Sequence, residues 1–195
     1  RRMWPSGLDQ LMGADAPRGR LSKDEQAESG YALARLSDMG YGTRLRELLA
    51  TNELGEPVDS EVPAELGRAC VKVLAAWEWS EAGRPVAVLT LPSPVRPRLA
   101  QSLGRGLASV GRLVDLGQVS LVDEPRFFGG NSAFRCADVV RSYRVPAEVL
   151  DYVREHQCPV LLVSDVVDSR WAFTAVAREL RLAGASAGGS YTHLT

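Results

Sequence analysis

The residues best placed to do chemistry are Asp165, Asp168 and Ser169, which directly follow the apolar run Val160-Leu-Leu-Val163. Four such residues suit a parallel strand covered on both faces. Helical spacing resumes at Phe173, Val176, Ala177 and Leu180, and Gly184 supplies a stop signal. Acids and hydroxyls between a buried strand and a helix start lie where a sheet meets solvent. They can bind ribose hydroxyls, a magnesium ion carried by a sugar phosphate, or the phosphate itself. The same aspartates could instead cap the next helix, a common use of Asp. Arg170 has two uses as well. Its fork can grip a phosphate bidentately, or its bulk can fill space that glycine would leave open, and filling is the expectation.

A second polar group, Ser93, Arg96 and Arg98, lies in Leu91-Pro-Ser-Pro-Val-Arg-Pro-Arg98 after another buried strand. It could bind an anion at a helix N-terminus or serve as an ordinary solvated connection. Arg126, Phe127 and Phe128 form a basic–aromatic cluster that could stack on single-stranded bases or anchor a loop. Phe134 and Val139 are expected in the core. His156 and His193 have no partner spacing that makes a catalytic pair, and Ser164 has no visible base.

These residues need a scaffold, and the chain predicts one. Pro63 starts a helix whose apolar face is Leu66, Ala69, Cys70, Val73, Leu74 and Trp77. A buried strand follows over 85–91, then a helix marked by Leu99, Leu103, Leu107 and Val110. A strand over 114–122 is interrupted by Gly117. Asn131 caps a helix reaching about Arg141, and 146–155 is another. Alternating strands and helices give an α/β fold with a parallel sheet. Before it, 1–61 reads as a small irregular N-terminal segment and linker. It holds an edge strand ending at Pro5, a strand over 30–37 and a short helix capped by Thr43. The α/β domain spans 62–185. The polar stretch 186–195 reads as a tail: either the sheet ends early or these residues are foreign to it.

The chain has 195 residues, 45% hydrophobic, with a formal net charge of −1. That supports a core and predicts no strong global attraction to nucleic acid or membrane. The charge is uneven: residues 84–144 carry nine Arg against four acids, whereas 52–83 is acidic. The three cysteines are odd in number and lack a CxxC pair, which favours a reducing cytosol and argues against a zinc site. No run approaches transmembrane length. A start at Arg1 reads as a piece of something longer.

The segment from Val160 to Thr174 resembles the phosphoribosyl-diphosphate loop of type I phosphoribosyltransferases. In that family two acids hold the ribose hydroxyls, and a Thr/Ser-rich turn with Gly holds the 5′-phosphate. Asp165 matches the second acid and Ser164 stands at the first. Asp168 and Ser169 open the turn, Arg170 replaces its Gly, and Ala172 replaces a hydroxyl residue. The resemblance therefore implies the scaffold with a degenerate site and no catalytic residue. Residues 91–98 resemble the pyrophosphate-loop position of competence-type members. The stretch with Asn131, Phe134, Arg135, Arg141 and Tyr143 is similar to an arginine/asparagine/aromatic stretch of the same family.

An ordered set of segments narrows this further. Arg1-Arg-Met-Trp-Pro-Ser-Gly7, Ala34-Arg-Leu-Ser-Asp-Met-Gly40, Val73-Leu-Ala-Ala-Trp77, Pro85-Val-Ala-Val88, Ser109-Val-Gly-Arg-Leu113 and Gly130-Asn-Ser-Ala133 join the segment above. Together they resemble the C-terminal region of actinobacterial RecQ-like DNA helicases, where a phosphoribosyltransferase-like domain follows the motor domains and a zinc module. The resemblance implies an accessory role in DNA engagement or motor positioning during DNA repair in the cytoplasm, at the nucleoid. Single-stranded or forked DNA and the motor domains in cis would be its partners. Ser93, Arg96, Arg98, Arg126 and Arg135 would be phosphate contacts. ATP, Mg and Zn would belong to the parent helicase, since this chain has no Walker A motif, DExH box or zinc cysteines. Two alternatives stand beside it. One is an active transferase, or a sensor of phosphoribosyl diphosphate with Mg or of a nucleotide. The other is a protein-docking module.

Overall fold

The computed structural model describes residues 1–79, 83–123 and 131–186, and the backbone of 191–193. In chain order the elements are α1 (Leu8–Met12), β1 (Tyr31–Ala32), α2 (Tyr41–Leu48), α3 (Ala64–Ala75), β2 (Ala87–Thr90), α4 (Pro97–Gly111) and β3 (Val114–Gln118). There follow β4 (Ser120–Leu121), α5 (Ser132–Ser142), β5 (Tyr143–Arg144), α6 (Ala147–His156), β6 (Val160–Ser164), α7 (Trp171–Leu182) and β7 (Tyr191–His193). The main sheet runs β1-β7-β6-β2-β3 and every pairing in it is parallel.

β2 and β6 are buried at every position, as strands covered on both faces must be. Side chains alternate across the sheet. Ala87, Leu89, Val160 and Leu162 enter one core with α1, α5, α6 and α7. Val88, Leu161 and Val163 enter a second with α2, α3 and α4. This is a doubly wound α/β arrangement. Residues 1–61 contribute to both cores, through Trp4, Leu8 and Leu21 on one face and Leu45 on the other. Trp4 stacks on Trp171 at 6.0 Å between ring centroids.

Several local expectations change. The edge strand before Pro5 is a single bridge between Met3 and Arg20. Thr43 lies inside α2, whose N-cap is Gly40 in a positive-φ conformation that a threonine would resist. The strand over 114–122 divides. Gly117 (φ 78°) accompanies a register shift against β2, and the chain then leaves the sheet as β4 to pair antiparallel with β5. Phe134 is not core: it is 52% exposed, whereas Val139 is buried. The polar end of the chain is not the end of the sheet. Tyr191–His193 pairs with β6 on one side and β1 on the other. Strand pairing uses backbone groups, so the sheet can accept a segment with no apolar run to announce it.

Candidate ligand-binding cleft

The chain leaves β2 for β3 on one side, and leaves β6 for β7 on the other. Loops diverge where the order reverses, so a crevice opens beyond the carboxyl ends of β2 and β6. A cleft of about 200 Å³ occupies that position. Its walls are Leu91 and Pro92 after β2, Ser164 to Arg170 after β6, and one side of α5, with Tyr143 and the first turn of α7 completing it.

Asp165 is the most constrained group in the cleft. It is 4% exposed, and burial pushes its carboxyl above the usual range, opposed by hydrogen bonds from Ser93 and from the Val166 N–H. The Val166 N–H donates to Oδ1 at 2.9 Å. Ser164 Oγ is 3.4 Å from the same oxygen but gives its proton to Val166 O at 3.0 Å, the better geometry. Ser93 in turn accepts from the Arg96 N–H at 3.1 Å. The loop after β2 thus holds the acid after β6. Tyr143 lies in the same wall, its hydroxyl pushed up to about 12 by burial and then by the Asp165 charge.

Asp168 is exposed and forms a 3.1 Å ion pair with Arg135 of α5, with side chains 76% and 42% exposed. Neither aspartate caps α7. Ser169 Oγ takes the Trp171 N–H in a long 3.4 Å contact, while Asp165 is turned to Ser93 and Val166. Arg170 corrects another expectation. Its backbone keeps the left-handed geometry that favours glycine, with φ 65°. Its side chain is exposed and leaves the cleft open. Non-glycine residues hold that conformation at a cost of about 1–2 kcal/mol.

The group after β2 behaves differently from its sequence reading. Arg96 is buried and donates to Leu49 O at 2.5 Å, so it ties α2 to the sheet. The N-terminus of α4 is filled by Asp59, whose carboxylate accepts from the Arg98 N–H at 2.9 Å and the Leu99 N–H at 3.0 Å. An acid from the supposed linker thereby takes the place an external anion would need. Arg98 itself is exposed. Arg126, Phe127 and Phe128 lie outside the described residues.

The fold therefore brings together Asp165, Asp168, Ser169, Arg170, Ser93 and Arg135, and separates Arg96 and Arg98 from them. Sequence reasoning missed Asp59 and the roles of Asp138 and Tyr143 in the cleft wall. Asp59 carried no usable signal: local capping patterns tie it to the helix after Pro63, yet the N–H groups it accepts from lie 39 and 40 residues on. Among the described residues no group of three His, Cys, Asp or Glu side chains could hold a metal ion. No described helix is long and apolar enough to cross a membrane. No protein-family model, curated protein or solved structure matches this chain.

Proposed function

We propose that this chain is a non-catalytic binding module that holds a phosphorylated ribose in the cleft beyond β2 and β6. The supporting observation is Asp165: a buried carboxylate, fixed by Ser93 and Val166, lining an open crevice where the strand order reverses. Its free lone pairs suit the hydroxyls of a ribose. Ser169, the Arg135 fork and the first turn of α7 suit a phosphate. Any magnesium would arrive with the ligand, as for a diphosphate. The lack of a catalytic role follows from the resemblance, with Ser164, Arg170 and Ala172 each replacing a residue the transferase loop uses. Calorimetry with ribose 5-phosphate, and with phosphoribosyl diphosphate plus magnesium, tests this. Binding is expected and is lost in Asp165→Asn; no heat from either ligand at millimolar concentration would dispose of it.

A second reading is an accessory DNA-engaging domain of a RecQ-like helicase, phosphate-ribose binding being a retained ancestral trait. Exposed Arg98 and Arg105 favour it. They stand two turns apart along α4 and so fall on nearly one face. Phosphate contacts of this kind are salt-sensitive. Titration of labelled single-stranded and forked DNA at low salt tests it. No binding, together with an unchanged helicase after deletion of the domain, would remove it.

A further inference from the structure

We propose that the chain holds a second small-molecule site, one for a free α-amino acid, at the β3 edge of the main sheet. It is separate from the cleft beyond β2 and β6 and does not rest on the reading of that cleft.

The irregularity in β3 makes the site. Val88 pairs with Asp115, so unbroken pairing would set Gly117 opposite Thr90. Gln118 stands there instead, one residue late, and Gly117 carries the positive φ of 78° at the bulge. Side chains alternate along a strand, so Asp115 and Gln118, three apart, would otherwise face opposite sides of the sheet. The extra residue turns both toward α4, while Leu116 and Val119 go to the opposite core. Gln101 and Arg105 of α4 are neighbours on one helix face. With Thr90 and Gly117 these residues line a pocket of about 250 Å³. A cavity of about 150 Å³ already accepts benzene, so a small polar molecule has room here.

The polar groups of this pocket are not matched to one another. Gln118 Nε2 is buried and has no hydrogen-bond partner in the protein. Native structures rarely leave a buried donor so without a reason. A bulge that re-aims the side chain into a pocket supplies one, because the amide then meets a ligand's acceptor. Asp115 is held in place by the Gly117 N–H, which donates to its Oδ1 at 2.9 Å. Arg105 is exposed and lines the same pocket. Among the described residues neither Asp115 nor Arg105 forms an ion pair. A cation and a carboxylate kept apart across one small pocket match a ligand that carries both charges. The α-carboxylate fits the Arg105 fork and the Gln118 amide, and the ammonium group fits Asp115. A lone anion would face the Asp115 charge unscreened, and a lone cation would leave Arg105 and Gln118 unused. A water would satisfy the amide but neither charge.

The experiment is calorimetry of glycine, L-alanine, L-serine and L-glutamine on the full chain, with propionate and ethylamine as single-charge controls. At least one amino acid is expected to bind with a dissociation constant below about 1 mM, and both controls about tenfold or more weakly. Asp115→Asn keeps an oxygen for the Gly117 N–H and should weaken the amino acid about tenfold while leaving propionate unchanged. Gln118→Glu sets a carboxylate against the ligand's own and should abolish binding. Circular dichroism of each variant confirms that the fold is retained. Excess ribose 5-phosphate should leave the amino-acid isotherm unchanged; competition would put the amino acid in the other cleft and overturn the site. No heat from any of the four amino acids, propionate binding as tightly as they do, or full affinity in Asp115→Asn would overturn it as well.

Discussion

Two glycines two positions apart on α4 should respond to alanine with opposite signs. Gly106 is exposed, and an added Cβ there would meet nothing within 4 Å. Alanine gains about 1 kcal/mol of helix propensity at such a site. Gly104 has the same propensity to gain, but it faces the sheet. Its Cβ would lie 1.9 Å from Thr90 Oγ1 and 3.2 Å from Thr90 Cβ. Thr90 is 2% exposed at the end of β2, its β-branched side chain is stiff at χ1, and its Cβ stays 3.2 Å from the added methyl in every rotamer. The helix must therefore move off the strand. Overpacking of this kind costs about 1–3 kcal/mol. The two variants should differ by about 2 kcal/mol, roughly a 30-fold change in the folding equilibrium. Urea melts read by circular dichroism should separate their midpoints by about 1 M, for a slope near 2 kcal/mol/M. Thr90→Ala should shrink the Gly104→Ala penalty, because the clashing oxygen is gone. Equal stabilisation by both alanines would refute the close approach of α4 to β2. That approach also sets the loop carrying Ser93, so Gly104→Ala should weaken ligand binding while Gly106→Ala leaves it unchanged.

Asp165→Asn should raise thermal stability at neutral pH while abolishing ligand binding. A carboxyl with a raised folded pKa binds its proton more tightly folded than unfolded, so its contribution to stability falls as pH rises from about 4 through the folded value. The variant should lose that part of the pH dependence, seen in melts across pH 4 to 7; an unchanged profile would contradict the burial of the charge. Arg135→Ala should alter stability by less than about 0.5 kcal/mol, since its ion pair is exposed. It should weaken ribose 5-phosphate binding by about tenfold in calorimetry. Arg96→Met should destabilise by about 1.5–3 kcal/mol in denaturant melts, through loss of its charged hydrogen bond to Leu49 O. Arg98→Ala should leave stability alone and, if α4 engages DNA, lower the salt slope of binding by about 1.

Much of the scaffold was legible because it depends on local patterns. The apolar runs at 85–91 and 160–163 gave β2 and β6. Asn131 capped α5 as its residue type predicts, accepting from two N–H groups of the first turn. Pro63 and Pro146 each stand immediately before the helix they announce. The misses have a common physical origin. Gly40 and the polar β7 are governed by backbone geometry or strand pairing, which leave no apolar signature. Phe134 fits the apolar rhythm of α5, yet nothing in that rhythm says which face meets the core.

The sequence by itself determined the α/β alternation, the two fully buried strands and the cluster of acid, hydroxyl and cation after β6. Tertiary structure alone decided which of those groups act together. Strand order put the ends of β2 and β6 side by side, so Ser93 reaches Asp165 across a long separation in the chain. It sent Arg96 to Leu49, gave the N-terminus of α4 to Asp59 and left Arg170 exposed in the wall of an open cleft. Partners in a site are chosen by proximity in space. Sequence spacing encodes proximity only within an element; between elements it is set by the order in which strands pair.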